Sequence, residues 1–200
     1  MIGNDIVDLA DPETRLRACH PRFDRRVFAP EEIELLETTR SRARMRWILW
    51  SAKEAAYKAA RRASATTVFS PPQFVVRLNR ALHGSVRHGG RCWNARVQLD
   101  GDCVHAVVND GEFHSDAIWC ARRLTAEEQG DPSEGARKLA AATVAERLGL
   151  SVGQLRIERS GRVPQLVFDG DALTADLSLS HHGSFVGFAC RVGPQRSALH

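Results

Sequence analysis

The sequence predicts an α+β protein made of two tandem similar half-domains, each a long helix packed on a small, mostly antiparallel sheet, related by a pseudo-twofold axis. Three observations carry this expectation. Short stretches with β-type alternation and two long stretches of helical period occur along the same chain. The order of strand, acid-rich segment, helix and run of strands occurs twice. With 200 residues, 43% hydrophobic and 26% charged, the chain can bury one good core or two small ones that share an interface.

IGNDIVDL, from Ile2 to Leu9, reads as a strand: β-branched Ile2, Ile6 and Val7 sit among small or polar residues, and the turn-prone Ala10, Asp11 and Pro12 follow. Gly3, Asp5, Val7 and Leu9 share one face. With that face inward, Asp5 is a carboxylate among apolar neighbours and needs a cation or several donors. With the other face inward, Ile2 and Ile6 are core and Asp5 is ordinary surface. The pattern supports both.

APEEIELL opens a helix, with Pro30 in its first turn and Glu31 and Glu32 beside the positive end of the dipole. An arginine-rich loop leads to a second helix, RMRWILWSAKEAAYKAARRA. It sets Trp47, Trp50, Lys53, Glu54, Tyr57 and Lys58 along one side and a narrow stripe of Ile48, Ala52, Ala55 and Ala59 along another. Glu54 and Lys58, at i and i+4, also fit a plain surface ion pair worth about 0.3 kcal/mol.

From Phe69 to Val108 strands follow: FVVRL, GSV after the turn ALHG, and CWNARVQLDGDCVHAVV with a hairpin at Asp100-Gly101. DAIWCARRL is a further strand. Then come LTAEE, the helix SEGARKLAAATVAERLGL with Ser133 as its cap, and strands LRIER, PQLVF, LSLSH and FVGFAC. GPQRSALH reads as a loose tail. Aligning the two series places the half-domains at residues 1–112 and 113–200, joined within residues 109–116.

Five cysteines without C-x-x-C spacing, and an opening that carries acids where a signal peptide is basic and then apolar, point to a reducing cytoplasm. No apolar run approaches the roughly 18 residues of a membrane span. A net charge of +4 and pI near 9.0 favour an anionic partner: nucleic acid, a phosphorylated cofactor or an acidic protein surface. Arginines concentrate between Arg15 and Arg26 and in TRSRARMRW, which also fits a solvated helix face.

Asp5 on a strand and Glu54 on a helix could meet at the core edge as hard oxygen ligands for Mg²⁺. Lys58, one turn beyond Glu54, would then sit where a metal-bound phosphate lies.

Five segments in this order, IGNDIVDL, FDRRVFAPEE, WSAKEAAYKA, the turn in SGRVPQL and LSLSHHGSFVGFA, resemble the successive motifs of the 4′-phosphopantetheinyl transferase superfamily. W-x-x-K-E-A-x-x-K and S-L-S-H before an alternating strand are the most specific of them. The motif order resembles the small trimeric holo-acyl-carrier-protein synthases. The length and apparent duplication resemble the larger monomeric type, here with its two halves in swapped order. A monomer with one site between the halves is the expectation.

The resemblance implies an enzyme that moves 4′-phosphopantetheine from coenzyme A to a serine of an apo acyl or peptidyl carrier protein, releasing 3′,5′-ADP. It further implies Asp5 and Glu54 as Mg²⁺ ligands, Lys58 on the transferred phosphate, and Glu32 as general base. Arg137 and His181 would hold the cofactor's phosphates, Ser180 precedes His181 in the same motif, and Gly161, Arg162 and Pro164 form the turn beneath the adenine. His182 is expected to be a bystander. Two departures stand out: the family's Gly-Lys-Pro is stretched to G-R-V-P, and Val7 occupies the place where larger relatives often carry a third metal acid. The arginines would dock the acidic carrier. A basic nucleic-acid-binding module accounts for the charge but leaves the five ordered motifs unexplained, and a member that binds coenzyme A without transferring it has only the stretched turn in its favour.

Overall fold

The computed structural model describes residues 1–193 apart from 19, 21, 114–115 and 161–162. The first half of the chain runs β1 (Ile2–Asp8), α1 (Pro12–Ala18), α2 (Phe23–Val27), α3 (Pro30–Thr38), α4 (Arg42–Ala63), β2 (Val75–Leu78), β3 (His83–His88), β4 (Arg91–Asp100) and β5 (Cys103–Asn109). The second runs β6 (Ala117–Arg123), α5 (Pro132–Leu148), β7 (Leu155–Ser160), β8 (Val163–Phe168), β9 (Asp171–Ala172), β10 (Ala175–His182) and β11 (Phe185–Val192). This is an α+β fold whose strand pairs, among the described residues, are all antiparallel.

Among the described residues three sheets form, in the orders β1-β5-β4-β3-β2, β10-β11-β6 and β7-β8-β9. In the first two, the first strand of its half pairs with the last, which pairs in turn with an earlier one, giving β1-β5-β4 and β6-β11-β10.

Small residues bring α4 onto β1. A Cβ at Gly3 would stand 2.1 Å from the Ala55 carbonyl oxygen, so only glycine allows the helix backbone this close. The predicted stripe of Ile48, Ala52, Ala55 and Ala59 is buried, and Ala56 beside it is buried as well. α5 packs in the same way on β10 and β11, burying Ala136, Ala140 and Val144 against Leu177 and Phe188.

β1 lies between α4 and the second half, so both of its faces are covered. Along its free edge runs β10 in the same direction, each partner 174 residues further on. The backbone N–H groups of Ile2, Asn4 and Asp8 donate to Asp176 Oδ2, to Ser178 Oγ at 3.1 Å and to His182 Nδ1 at 3.0 Å. Asn4 Nδ2 also donates to Ser180 Oγ at 2.8 Å. A row of polar side chains thus satisfies an edge that would otherwise be a liability.

Several expectations shift. The arginine-rich stretch before Val27 contains two short helices, and α4 starts at Arg42, inside the expected loop. Asp131, not Ser133, caps α5, accepting from the Glu134 N–H at 3.0 Å. Ser133 follows Pro132, which occupies the first helical position. The expected tail, apart from Gly193, lies outside the described residues.

Candidate functional site

Asp5 projects from β1 toward α4, and its Oδ1 accepts from Lys58 Nζ at 2.8 Å. Its side chain is only 14% exposed. Burial raises the Asp5 carboxyl above its ordinary range, an effect that the Lys58 charge and hydrogen bond oppose without cancelling. Asp5 and Glu54 line a single cavity of about 160 Å³ together with Trp47, Trp50, Glu13, His181 and His182. Residues more than a hundred positions apart therefore meet in one cleft, with carboxylates from the first half and imidazoles from the second.

The His181 ring stands 3.4 Å from Ser133 Oγ in the first turn of α5. Partial desolvation pushes it below the ordinary histidine range, and the charges of Lys58 and His182 add to that, against Asp131. Arg137, one turn further along α5, pairs with Glu134 at 3.2 Å and is 22% exposed. Ser180 is buried, bonded to Asn4, and so fixes the strand that delivers His181. Pro164 sits in β8 opposite Arg159, while Gly161 and Arg162 lie outside the described residues.

Glu32 is placed differently from the expectation of a general base. Its carboxylate is 1% exposed and bonded on both oxygens: to the Ala29 N–H at 2.7 Å, the Val76 N–H at 2.8 Å and Lys53 Nζ at 2.7 Å. Glu32 is also absent from the cavity lining. Lys53, expected on the same side of α4 as Glu54, turns inward instead. It is fully buried and donates further to the carbonyls of Pro71 and Phe74. One residue along a helix is a rotation of about 100°, which separates Lys53 from Glu54. Glu128 repeats the arrangement in the second half, accepting from the Thr125 N–H and pairing with Arg122 at 2.7 Å.

The sequence reading missed Glu13 and set His182 aside as a bystander, yet both line the cavity. Glu13 comes from α1, which Thr14 ties to β1 through a 2.7 Å bond to the Asp8 carbonyl. His182 ends the row Asp176, Ser178, Ser180, His182, whose period of two was the signal available for it. The potential ligand atoms of Asp11, Glu13 and His182 lie within 4.8 Å of one another.

The arginine surface is smaller than its sequence suggests. Arg46 is buried and grips Asp24 with two bonds of 2.6 and 2.9 Å, and Arg42 adds a third at 3.0 Å. The hydrogen bond from Arg46 leads the effects that hold the Asp24 carboxyl below its usual range. Arg15, Arg22, Arg25, Arg26, Arg40 and Arg44 are exposed. A larger cavity of about 620 Å³, between β6 and α5, is lined by Trp119, Thr143, Glu146 and Arg147 and shares no residue with the acid cleft. Among the described residues, no helix is long and apolar enough to cross a membrane.

A family model described as the 4′-phosphopantetheinyl transferase superfamily matches residues 1–108, a span that includes Asp5, Glu32, Glu54 and Lys58. No curated protein matches the chain. Among solved structures, Thermotoga maritima holo-[acyl-carrier-protein] synthase (AcpS) is similar at 12% identity over 86% of this chain and 83% of that one, with a TM-score of 0.35.

Proposed function

The chain belongs to the 4′-phosphopantetheinyl transferase superfamily, and we propose that it transfers the 4′-phosphopantetheine group of coenzyme A to a serine of an apo acyl or peptidyl carrier protein, releasing 3′,5′-ADP. The observation that carries this reading is the cleft in which Asp5 and Glu54 from one half share a lining with His181 from the other.

The donor set fits Mg²⁺: the carboxylates of Asp5 and Glu54 supply hard oxygens, and among the described residues no thiol lines the cleft. Held by Asp5 and Glu54, Mg²⁺ would neutralise the diphosphate of coenzyme A and stabilise charge on the departing 3′,5′-ADP. Lys58, already within reach of Asp5 Oδ1, neutralises the transferred phosphate as the serine hydroxyl gives its proton to a water in the cleft, its oxygen bonds to the β-phosphorus and the bond to 3′,5′-ADP breaks. Arg137 and His181, at the start of α5, hold the remaining phosphates, the 3′-phosphate included. Gly161, Arg162 and Pro164 support the adenine. Glu32 serves as a positioning residue that fixes α3 to α4 through Lys53.

The second half is read as a diverged copy of the first. The matching strand orders and the matching caps at Glu32 and Glu128 support this. Only the first copy carries the metal acids, so one site per chain and a monomer follow. The exposed arginines near α1, α2 and the start of α4 offer a surface for an acidic carrier, with steering that weakens as salt rises. A reducing cytoplasmic setting agrees with the unbridged cysteines Cys92, Cys103, Cys120 and Cys190.

The test uses a fluorescent coenzyme A conjugate, a panel of apo acyl and peptidyl carriers, and Mg²⁺ or a chelator. Mg²⁺-dependent labelling of at least one carrier is expected. No labelling across the panel, or labelling indifferent to the chelator, would sink the reading.

A further inference from the structure

We propose that His182 is a second phosphate-contacting side chain of the cleft, presenting its Nε2–H to the diphosphate of coenzyme A, and that Asp8 is the residue that positions it. The proposal rests on the transferase reading above and names a contact within that site.

The backbone N–H of Asp8 donates to His182 Nδ1 at 3.0 Å. A backbone amide can only donate, so Nδ1 carries the lone pair and the neutral ring holds its hydrogen on Nε2. The side chain of Asp8 holds the turn after β10. Its Oδ2 accepts from the Ser184 N–H at 2.9 Å and its Oδ1 from the Ala10 N–H at 2.9 Å. Gly183 lies between, at φ +53°, and a Cβ there would stand 2.5 Å from Asp8 Oδ2. The turn therefore closes on Asp8 only with glycine at that place. Asp8 is itself buried, so backbone and carboxylate act together to fix the ring at the cleft wall, beside Asp5 and Glu54.

The fixed hydrogen also decides between two chemistries. Asp11, Glu13 and His182 lie close enough to suggest a second cation site. For Nε2 to bind a cation it must lose its hydrogen, and moving that hydrogen to Nδ1 would set two N–H donors against each other at Asp8. His182 is therefore a donor.

The test compares wild type, His182→Ala, His182→Gln, Asp8→Asn and the Asp8→Asn/His182→Ala double variant in full-length protein. Affinities for coenzyme A and 3′-dephospho-coenzyme A are measured by calorimetry, and KM for coenzyme A and for the carrier by transfer. Loss of a hydrogen bond to a charged group predicts that His182→Ala weakens both nucleotides about tenfold, with the carrier KM unchanged. His182→Gln, which restores a donor near Nε2, should recover most of the loss. Asp8→Asn should weaken binding in the wild-type background and add little once His182 is gone. In ¹⁵N spectra of the wild type, His182 should be the Nε2–H tautomer, with Nε2 shifting on addition of coenzyme A. Full coenzyme A affinity in His182→Ala overturns the proposal, as does an Nδ1–H tautomer, or an Nε2 shift produced by Mg²⁺ alone. Should His182→Ala fail to fold, the glutamine variant and the wild-type spectra decide. A wild type that binds no coenzyme A overturns the transferase reading, whereas a wild type that binds it and a His182→Ala variant of unchanged affinity overturn only this contact.

Discussion

Lys58 Nζ donates to Asp5 Oδ1 at 2.8 Å, linking α4 to β1 at the cleft where the two halves meet. The bond holds a buried carboxylate that burial alone would leave protonated more readily than usual. Buried acids held against their surroundings are commonest where stability has yielded to function. Asp5→Asn should accordingly abolish transfer while leaving the thermal midpoint equal to or above wild type, since the amide carries no desolvated charge and still accepts from Lys58. A large fall in the midpoint would give Asp5 a structural task instead. Lys58→Ala should lower the transfer rate about 10²- to 10³-fold, the range for removing one preorganised donor.

Arg62 ties the two halves together, donating to Asp176 Oδ1 at 2.6 Å and to the Ile2 carbonyl at 3.0 Å. Arg62→Met removes both bonds while leaving Asp176 with the Ile2 N–H and the Met1 ammonium, so it should cost about 2 kcal/mol in urea denaturation. An unchanged midpoint would mean that the halves are held by their apolar contacts alone.

His105, buried on β5 beside Asn4, is pushed down to about 3, chiefly by burial and then by the Lys58 charge. The unfolded chain therefore takes up a proton near 6.5 that the fold refuses. Its contribution to stability is full above that pH, declines as pH falls, and levels off below about 3. In NMR titration His105 should stay neutral from pH 8 to pH 5, and His105→Asn should remove its share of the slope. Protonation of His105 near 6.5 in the folded protein would contradict this.

Glu128 is held down to about 2 by the hydrogen bond from Arg122 and then by the Thr125 N–H. An acid whose folded value is depressed adds stability above its ordinary value of 4.5 and loses it as pH falls toward 2. Glu128→Gln should therefore be less stable than wild type at pH 7, with the gap narrowing only below about pH 4.5. A gap that is constant from pH 7 to pH 3 would assign the effect to shape rather than charge.

Much of this was legible because single elements carry their own period. The alanine stripe of α4 and the alternation of β1 appear where they were read. The choice between two faces for Asp5 dissolved because β1 is covered on both, by α4 on one side and by the second half on the other. A strand's own pattern holds no record of a partner arriving 174 residues later. Glu32 announced a helix start through its position three residues after Ala29, yet its partner Lys53 becomes visible only once α3 packs on α4. The grip of Arg46 on Asp24 is long-range in the same way. The cap of α5 was readable after all, since Pro132 favours the first helical position and so selects Asp131 before it.

The most direct test of the central claim, one acid pair serving one transfer site, is the intact mass of an apo carrier protein after incubation with coenzyme A, Mg²⁺ and either wild type or Glu54→Gln. The account predicts that wild type converts the carrier to a species heavier by one phosphopantetheine and that Glu54→Gln leaves it unmodified while still folded. Near-full conversion by Glu54→Gln would contradict it.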